Sequence, residues 1–487
     1  YPPGGEKDEG GTTPAGGTVT GLTDDTASAV GRQAANIDPN PNHGPARDCA
    51  DRIAAALEEA TEVDVKWAPK LRALRADDDL TVSDDDWSDV FTDTKGLQAA
   101  GTEYLGSLPQ PPKDGDPKSN AQWWQELDPD QQAAWLSMRP DSVGALDGLP
   151  SAVRDEANRI IFADARSAAQ TELDAWMAKE PQPAYQLVHS VNALTGEEVE
   201  EKIYSEEWRQ WDMKRNELQK PVDGMQAIQD RFNATGKNGL PEAYLLSFSP
   251  EGDGRVIIAN GNPDTADHQA VYVPGTTSNL SNIEGNINRM VGVWREADAK
   301  SGGESVSTIT WLGYDAPDSV AKDAPFSHYA YDGAPAFNRF LDGLDASHGG
   351  VSDPHRTVIG HSYGSTLVGA AAETGQLNAD DVIFAGSPGV RVSGADEMDV
   401  PQGHVWNEEA EGDPVPDLGR WGHGGDRFVI PSDPNFGANQ MATDTEGHSG
   451  YWDGDEAGPS QSLLNQALVV VGKGDDVPLR MPRPLLM

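Results

Sequence analysis

The stretch that decides the fold is Thr357-Val358-Ile359-Gly360-His361-Ser362-Tyr363-Gly364-Ser365. Its β-branched start favours a strand, and the small residues that follow it favour a helix. The G-x-S-x-G core lies between them, and its two glycines permit a strained turn in which the strand and helix backbones pass close together. The stretch therefore predicts a strand, a sharp turn and a helix, with the Ser362 hydroxyl presented near the positive end of that helix.

The flanking segments strengthen this prediction, because G-x-S-x-G alone arises by chance in roughly one chain in three of this composition. From about residue 240, apolar strand patterns alternate with amphipathic helix patterns. The strand patterns cover residues 243–248, 255–260, 269–273, 307–312, 357–361, 381–385 and 404–407. The first two flank a turn rich in Pro, Gly and Asp and predict a hairpin. The alternation predicts a mostly parallel sheet with helices on both faces, which is the layout of the α/β-hydrolase fold.

The remainder of the chain divides by composition. We expect a flexible leader over residues 1–44, a mainly helical domain over 45–235, an α/β-hydrolase domain over 236–475 and a C-terminal tail over 476–487. Within the helical domain, three of the periodic segments are 85–105, 151–178 and 206–233. The tail is apolar and interrupted by prolines, so it either packs as an extended arm or has no fixed structure.

The composition limits the classes of function. The formal net charge is −44, from 80 acidic and 36 basic residues, and such a surface repels nucleic acid and anionic lipid headgroups at long range. No apolar run approaches ~20 residues, so no transmembrane segment is expected. Cys49 is the only cysteine, which excludes an intrachain disulfide and a thiolate zinc site. The chain begins at Tyr1, which fits either removal of an export signal or a start inside a longer protein.

A serine becomes a good nucleophile when a histidine takes its proton and a carboxylate orients that histidine. In this fold the three follow the order Ser, acid, His along the chain. The histidines after Ser362 are His404, His423 and His448. His448 is our choice as the base, because it lies in a late loop ahead of the final helix. His423, in a glycine-rich loop, is the alternative, and His404 begins an apparent strand and is expected to be structural.

The acid is expected after the strand that follows the one behind the elbow. Asp413 stands there between a glycine and a proline, which suits a rigid turn at a strand end, and it is our choice. Glu411 and Asp417 remain alternatives, since a chain with 80 acidic residues places many carboxylates in solvent.

The oxyanion hole needs two backbone N–H groups that point at the developing negative charge. One is expected from Tyr363, the residue after the nucleophile. The other is expected from the loop after strand 271–273, with Thr276 as the first choice and Thr277 as the second. No metal or organic cofactor is required by this chemistry.

Several segments together resemble an actinobacterial α/β-hydrolase family of uncharacterised activity, often found behind a helical amino-terminal region. The segments are Val273-Pro274-Gly275-Thr276, Trp311-Leu312-Gly313-Tyr314-Asp315-Ala316-Pro317, Gly360-His361-Ser362-Tyr363-Gly364-Ser365, Gly386-Ser387-Pro388-Gly389, Gly447-His448-Ser449, Tyr451-Trp452 and, upstream, Trp123-Trp124, Leu146-Asp147-Gly148-Leu149-Pro150, Arg154-Asp155 and Ala157-Asn158. The resemblance implies the fold, Ser362 and His448 at catalytic positions, Asp413 as the acid, a Gram-positive high-GC source and export, but no substrate. We therefore expect an extracellular or cell-envelope location, with the cytoplasm as the alternative.

These features predict a serine hydrolase that acts on a small-molecule or lipid ester through a Ser-His-Asp triad and an acyl-enzyme intermediate. An acyltransferase would use the same residues. A different class remains open, in which the fold is a non-catalytic scaffold and the helical domain binds a protein partner. The helical domain could also act as an inhibitory lid or a secretion module.

Overall fold

The computed structural model describes residues 61, 84–113, 115–191, 196, 198–350, 352–455 and 458–480. The predicted leader, nearly all of residues 45–83 of the predicted helical domain and the last seven residues of the tail lie outside this part of the chain. The chain divides into two compact units, residues 1–99 and 100–487. In the first unit the described backbone is helical.

Helices dominate the described chain before residue 240, as predicted. They are α1 (Asp84–Ser107), α2 (Pro117–Glu126), α3 (Pro129–Met138), α4 (Pro140–Gly144), α5 (Ser151–Met177) and α6 (Glu206–Asn233). The helices predicted over 85–105, 151–178 and 206–233 are therefore confirmed. A hairpin of β1 (Tyr185–Val191) and β2 (Glu198–Tyr204) separates α5 from α6, where no element is predicted.

Helix α5 is tied to the sheet by buried hydrogen bonds. Asp155 Oδ1 accepts the backbone N–H of Leu245 at 2.7 Å, and Asn158 Nδ2 donates to the carbonyl of the same residue at 3.1 Å. Ser151 Oγ donates to Asp264 Oδ1 at 2.7 Å. Helix α5 and the sheet therefore pack together within the second unit, residues 100–487.

The centre of the second unit is an eight-stranded sheet with the order β10-β9-β8-β7-β5-β6-β4-β3. Its strands are β3 (Ala243–Ser249), β4 (Arg255–Asn260), β5 (His268–Val273), β6 (Val306–Leu312), β7 (His355–His361), β8 (Asp381–Ala385), β9 (Val405–Glu408) and β10 (Asn439–Gln440). β3 and β4 form the predicted antiparallel hairpin, and β5 to β10 run parallel. The predicted fold class is confirmed.

The later helices cover this sheet. They are α7 (Ile283–Lys300), α8 (His328–Ser347), α9 (Tyr363–Thr374), α10 (Val415–His423) and α11 (Gln461–Val470). Strands β5 to β8 are buried at every position except His355, which agrees with their continuous apolar patterns. Two further two-residue strands, β11 (Gly454–Asp455) and β12 (Gly458–Pro459), pair ahead of α11.

The strand order brings four loops to one edge of the sheet. β5 lies between β6 and β7, and the register places Val273 opposite Gly360 and His361 opposite Ala385. Ala385 lies in turn opposite Glu408 of β9. The loops that leave the carboxyl ends of β5, β7, β8 and β9 therefore meet, and this is the place where open α/β sheets hold their sites.

The described part of the tail runs as an extended arm. Leu479 forms a bridge with Met441, and the N–H of Arg480 donates to the carbonyl of Gln440 at 2.9 Å. The guanidinium of Arg480 also donates to the carbonyl of Glu409 at 2.8 Å. The arm thus covers the edge of the sheet beside β10, which would otherwise expose unpaired backbone groups. Over the described residues, the structure contains no helix with the length and apolarity needed to span a membrane.

Candidate active site

Ser362 occupies a strained turn between β7 and α9. Its φ of 52° and ψ of −129° place a non-glycine residue at positive φ, which is costly unless the surroundings hold it. The flanking glycines are required by contact: a Cβ on Gly360 would lie 2.6 Å from Ser365 Cα, and one on Gly364 would lie 2.1 Å from Val273 O. The close passage of strand and helix that the G-x-S-x-G pattern indicates is therefore present.

Asp413 and His448 form a hydrogen-bonded pair although 35 residues separate them. His448 Nδ1 lies 3.0 and 2.9 Å from the two carboxylate oxygens of Asp413. The Asp413 side chain is fully buried, and that of His448 is 26% exposed. Burial opposes ionisation of Asp413, but hydrogen bonds from His448 and Tyr451 outweigh it, so its pKa lies below the ordinary value of 3.8. The acid is thus held as a carboxylate that can orient an imidazole and stabilise its charge.

Backbone hydrogen bonds hold the two loops of this pair together. The N–H of Glu411 donates to the carbonyl of Thr445 at 3.2 Å, and the N–H of Gly447 donates to the carbonyl of Glu411 at 2.9 Å. Tyr451 adds a side-chain link, since its hydroxyl donates to Asp413 Oδ2 at 2.6 Å and accepts the N–H of Ala410 at 3.1 Å. These contacts fix the orientation of the carboxylate as well as its position.

His361, the residue before Ser362, contacts both the ring and the backbone of His448. The two rings stack with centroids 4.9 Å apart, and His361 Nε2 donates to the backbone carbonyl of His448 at 2.9 Å. Burial, followed by the charges of Arg289 and His448, lowers the pKa of His361 well below 6.5. His361 is therefore neutral near pH 7, and its Nε2–H serves as a fixed hydrogen-bond donor.

The two predicted oxyanion residues lie next to Ser362. Tyr363 is the first residue of α9, where backbone N–H groups have no partner within the helix. Thr276 follows Gly275, and a Cβ on Gly275 would lie only 3.1 Å from Ser362 Oγ. The N–H of Thr277, the second choice, donates to the carbonyl of Pro317 at 2.7 Å. Thr277 is therefore engaged elsewhere, which leaves Thr276 as the better placed donor of the two.

Residues 313–317 hold the loop of Thr276 and Thr277 in place. Tyr314 is buried and its hydroxyl donates to the carbonyl of Pro274 at 2.8 Å, while Pro317 accepts the N–H of Thr277. Thr277 itself has a φ of 67°. The W-L-G-Y-D-A-P segment thus positions the loop beside the serine.

A cavity of about 760 Å³ opens over Ser362. Ser362, His448, Thr276 and Tyr363 all line it. One wall of the cavity is polar and is formed by Asn282 and by Asn286 and Arg289 of α7. Another wall is largely apolar and is formed by Val415, Leu418 and Trp421 of α10. The lining residues fall between Gly275 and Ser449, so none of them belongs to the described helices α1 to α6.

The alternative residues are placed differently. His423 is buried, and its Nε2 lies 2.6 Å from the carbonyl of Ala324. It lines the cavity, but burial lowers its pKa and it pairs with no carboxylate among the described residues. His404 lies at the opposite end of the strands, where its Nδ1 is 3.1 Å from Asp381 Oδ1. Glu411 and Asp417 are exposed. The structure therefore brings His448 and Asp413 together and leaves the alternatives apart from that pair.

Tyr451 and Gly386 are site residues to which the sequence alone assigns no role at the acid. A Cβ on Gly386 would lie 2.7 Å from Asp413 Oδ2, 3.0 Å from His448 Nδ1 and 3.0 Å from the Tyr451 hydroxyl. In the sequence, Gly386 and Tyr451 stand out only because they belong to the segments 386–389 and 451–452, on which the family resemblance rests. That resemblance does not indicate that they contact the acid. Among the residues that the structure describes, no group of three or more His, Cys, Asp or Glu side chains could hold a metal ion.

Residues 249–422 match the sequence profile of an alpha/beta hydrolase family. The match includes Ser362 and Asp413 and ends before His448. The uncharacterized protein Rv2079 of Mycobacterium tuberculosis is 29% identical over 318 residues, which cover 64% of this chain and 45% of that protein. The uncharacterized protein Rv0963c of the same species is 34% identical over 176 residues, covering 34% of this chain and 65% of that protein. The chain therefore spans less than half of the length of Rv2079.

Two solved structures of esterases are also similar. An arylesterase aligns with a TM-score of 0.32 and 13% identity, over 53% of this chain and 92% of its own. The esterase LipW from Mycobacterium marinum aligns with a TM-score of 0.28 and 12% identity, over 42% of this chain and 74% of its own. Both identities are too low to indicate a substrate.

Proposed function

We propose that this chain is a serine hydrolase that cleaves a carboxylic ester through an acyl-enzyme formed on Ser362. The proposal rests on the hydrogen bond between Asp413 and His448, together with the cavity that both His448 and the strained Ser362 line. A buried carboxylate on Nδ1 sets the tautomer in which Nε2 can accept a proton from a serine hydroxyl.

In the first half of the proposed reaction, Ser362 Oγ attacks the ester carbonyl carbon while His448 Nε2 takes the hydroxyl proton. The N–H groups of Tyr363 and Thr276 stabilise the negative oxygen of the tetrahedral intermediate. The bond to the alcohol oxygen then breaks, and the imidazolium of His448 gives its proton to the leaving alcohol. The acyl group remains on Ser362 as an ester.

In the second half, water takes the place of the alcohol. His448 removes a proton from the water as it attacks the acyl carbonyl. The bond between the acyl carbon and Ser362 Oγ then breaks, the imidazolium of His448 returns its proton to Ser362 Oγ, and the carboxylic acid is released. Asp413 stays ionised throughout and stabilises the imidazolium in both halves. Its lowered pKa supports this role.

The apolar wall of the cavity favours a substrate with an apolar acyl chain or alcohol. Leu418 and Trp421 are 74% and 72% exposed, and Val320 at the same cavity is 68% exposed. Apolar side chains left this open beside a reactive serine gain by covering a hydrocarbon chain. We therefore propose small-molecule or lipid esters of short to medium chain length as the substrate class.

Pre-steady-state turnover of 4-nitrophenyl butanoate tests the proposed function. We expect a burst of nitrophenol that approaches one equivalent of enzyme if deacylation is slower than acylation, and steady turnover in either case. Ser362→Ala should lower turnover by at least about 10³-fold. Ser347→Ala should not change it, because Ser347 is the last residue of α8 and does not line the cavity. Wild-type turnover that survives in Ser362→Ala would contradict the proposal.

The other candidate functions give different outcomes in the same assay. An acyltransferase would release nitrophenol faster when a short alcohol is added and would form the corresponding new ester. A folded wild type without any turnover would favour a non-catalytic scaffold. The extracellular or cell-envelope location is also a proposal; it rests on the family resemblance and is tested by fractionating cells that produce the native protein.

A further inference from the structure

Arg289 lies in the wall of the cavity that holds Ser362, on the polar side formed by α7. Its Nη1 donates to the Tyr272 hydroxyl at 2.9 Å and to Asn286 Oδ1 at 3.1 Å. Its guanidinium carbon lies 4.7 Å from the ring centroid of Trp452. All of these partners are neutral, so they orient the guanidinium without neutralising its charge.

Arg289 therefore differs from those arginines whose charge is matched by a neighbouring carboxylate. Arg154, Arg159 and Arg356 form ion pairs with carboxylates at 3.0, 2.7 and 2.6 Å. No carboxylate of the described residues lies within 4.0 Å of the guanidinium nitrogens of Arg289. Nor do its Nε and Nη2 atoms donate to any other group in the described ranges. The edge formed by Nε and Nη2 has the geometry that pairs with two oxygens of a carboxylate or phosphate.

Arg289 is also close to the reacting groups. The Trp452 ring that lies against its guanidinium is in edge contact with the ring of His361, with centroids 5.1 Å apart. His361 precedes Ser362 and stacks on His448. Arg289 and Ser362 line the same cavity, so a single molecule in that cavity can contact both.

We propose that Arg289 binds an anionic group, a carboxylate or a phosphate, carried by the ester substrate, and this rests on the proposed esterase function. The formal net charge of −44 repels anions at long range. Binding of an anionic ester in the cavity therefore requires a positive charge fixed close to the bound substrate. The polar wall from α7 would then hold the charged end of the substrate, and the apolar wall from α10 would cover its hydrocarbon part.

Two pairs of esters test this subsite, one for each side of the scissile bond. On the acyl side, 4-nitrophenyl adipate with a free carboxylate is compared with its methyl-capped form. On the alcohol side, 4-butanoyloxybenzoate is compared with its methyl ester. For each pair, the ratio of kcat/KM for the charged ester to kcat/KM for the neutral ester is measured in the wild type, Arg289→Met, Arg289→Lys and Arg295→Met. Arg295 is exposed on the same helix and does not line the cavity, so its variant removes an equal charge.

We expect Arg289→Met to lower this ratio about 10- to 100-fold in at least one pair, as loss of a charge-assisted hydrogen bond predicts. Arg289→Lys should give an intermediate ratio, since it keeps the charge but not the planar pair of donors. Arg295→Met should keep the wild-type ratio. Equal ratios in wild type and Arg289→Met, in both pairs and with the variant folded by circular dichroism, would overturn the proposal.

Failure of the esterase function itself is distinguishable, because the wild type would then hydrolyse neither the charged nor the neutral ester. In that case the test moves to calorimetric binding of the charged esters to Ser362→Ala. Arg289→Met in the Ser362→Ala background should weaken that binding at least about tenfold. Equal affinity with and without Arg289, or absence of binding to both variants, overturns the subsite.

Discussion

Replacing Gly386 with alanine should impair the site although no proposed catalytic residue is itself replaced. Gly386 has a φ of +59°, where a side chain costs about 1–2 kcal/mol. The added Cβ would lie 2.7 Å from Asp413 Oδ2 and 3.0 Å from both His448 Nδ1 and the Tyr451 hydroxyl. Ordinary contact begins near 3.4 Å, so the carboxylate would have to withdraw by about 0.7 Å. No neighbour at this point is the free end of a flexible side chain, because His448 and Tyr451 are both hydrogen-bonded to Asp413.

The expected result for Gly386→Ala is a fall in kcat/KM on the order of 10²-fold, since a misplacement approaching 1 Å costs about that much. The free energy of unfolding should fall by about 2–4 kcal/mol, from backbone strain and overpacking together. Both are measured on one preparation, by nitrophenyl ester hydrolysis and by denaturant titration. Gly403→Ala is the matched control, because Gly403 has a φ of +88° with nothing within 4 Å, so it carries the strain alone and should keep its kcat/KM. A folded Gly386→Ala with wild-type kcat/KM would show that the position of the Asp413 carboxylate does not limit catalysis.

Three further variants test other contacts of the site. Tyr451→Phe removes one hydrogen-bond donor from the Asp413 carboxylate and should lower the free energy of unfolding by about 1–3 kcal/mol. Because the pKa of Asp413 is depressed in the folded protein, this loss of stability should be full above pH 3.8 and should shrink as the pH falls through the folded pKa. His361→Asn should reduce the loss of stability on acidification. In the unfolded wild type His361 takes up a proton near pH 6.5, whereas in the folded protein it stays neutral, so the free energy of unfolding falls by up to about 1.4 kcal/mol per pH unit below 6.5. Denaturant titrations of both proteins over this pH range measure the difference. Trp421→Ala, at a side chain that is 72% exposed, should change stability by less than about 0.5 kcal/mol but lower kcat/KM for an eight-carbon nitrophenyl ester about tenfold more than for the acetate.

The parts of the fold that the sequence predicts are those with a strong local pattern. The elbow depends on two glycines within five residues, and the buried strands carry β-branched and apolar runs. Helices α5 and α6 carry apolar periodicity over about seven turns each and begin and end where predicted. The hairpin of β1 and β2 is different, because both strands are exposed along their described lengths. Without a buried face there is no alternation of apolar and polar residues to detect.

The composition of the candidate site is predictable, but its contacts are not. Chain order and loop position are enough to choose Ser362, Asp413 and His448, because the fold constrains the order of those residue types. The closeness of Gly386 to the acid, the hydroxyl of Tyr451 on Asp413 and the uncompensated charge of Arg289 all depend on pairings between segments far apart in the chain. Such pairings follow from the strand order and the loop geometry, for which a single sequence carries no local signal.

Covalent labelling by a fluorophosphonate, with the labelled peptide identified by mass spectrometry, tests the central claim most directly. A serine activated by a neighbouring imidazole reacts with this probe, and an ordinary buried or surface serine does not. We expect one label per chain, on the peptide that contains Ser362, with no label in Ser362→Ala and strongly slowed labelling in His448→Ala. A folded wild type that is not labelled, or is labelled at another serine, would contradict it.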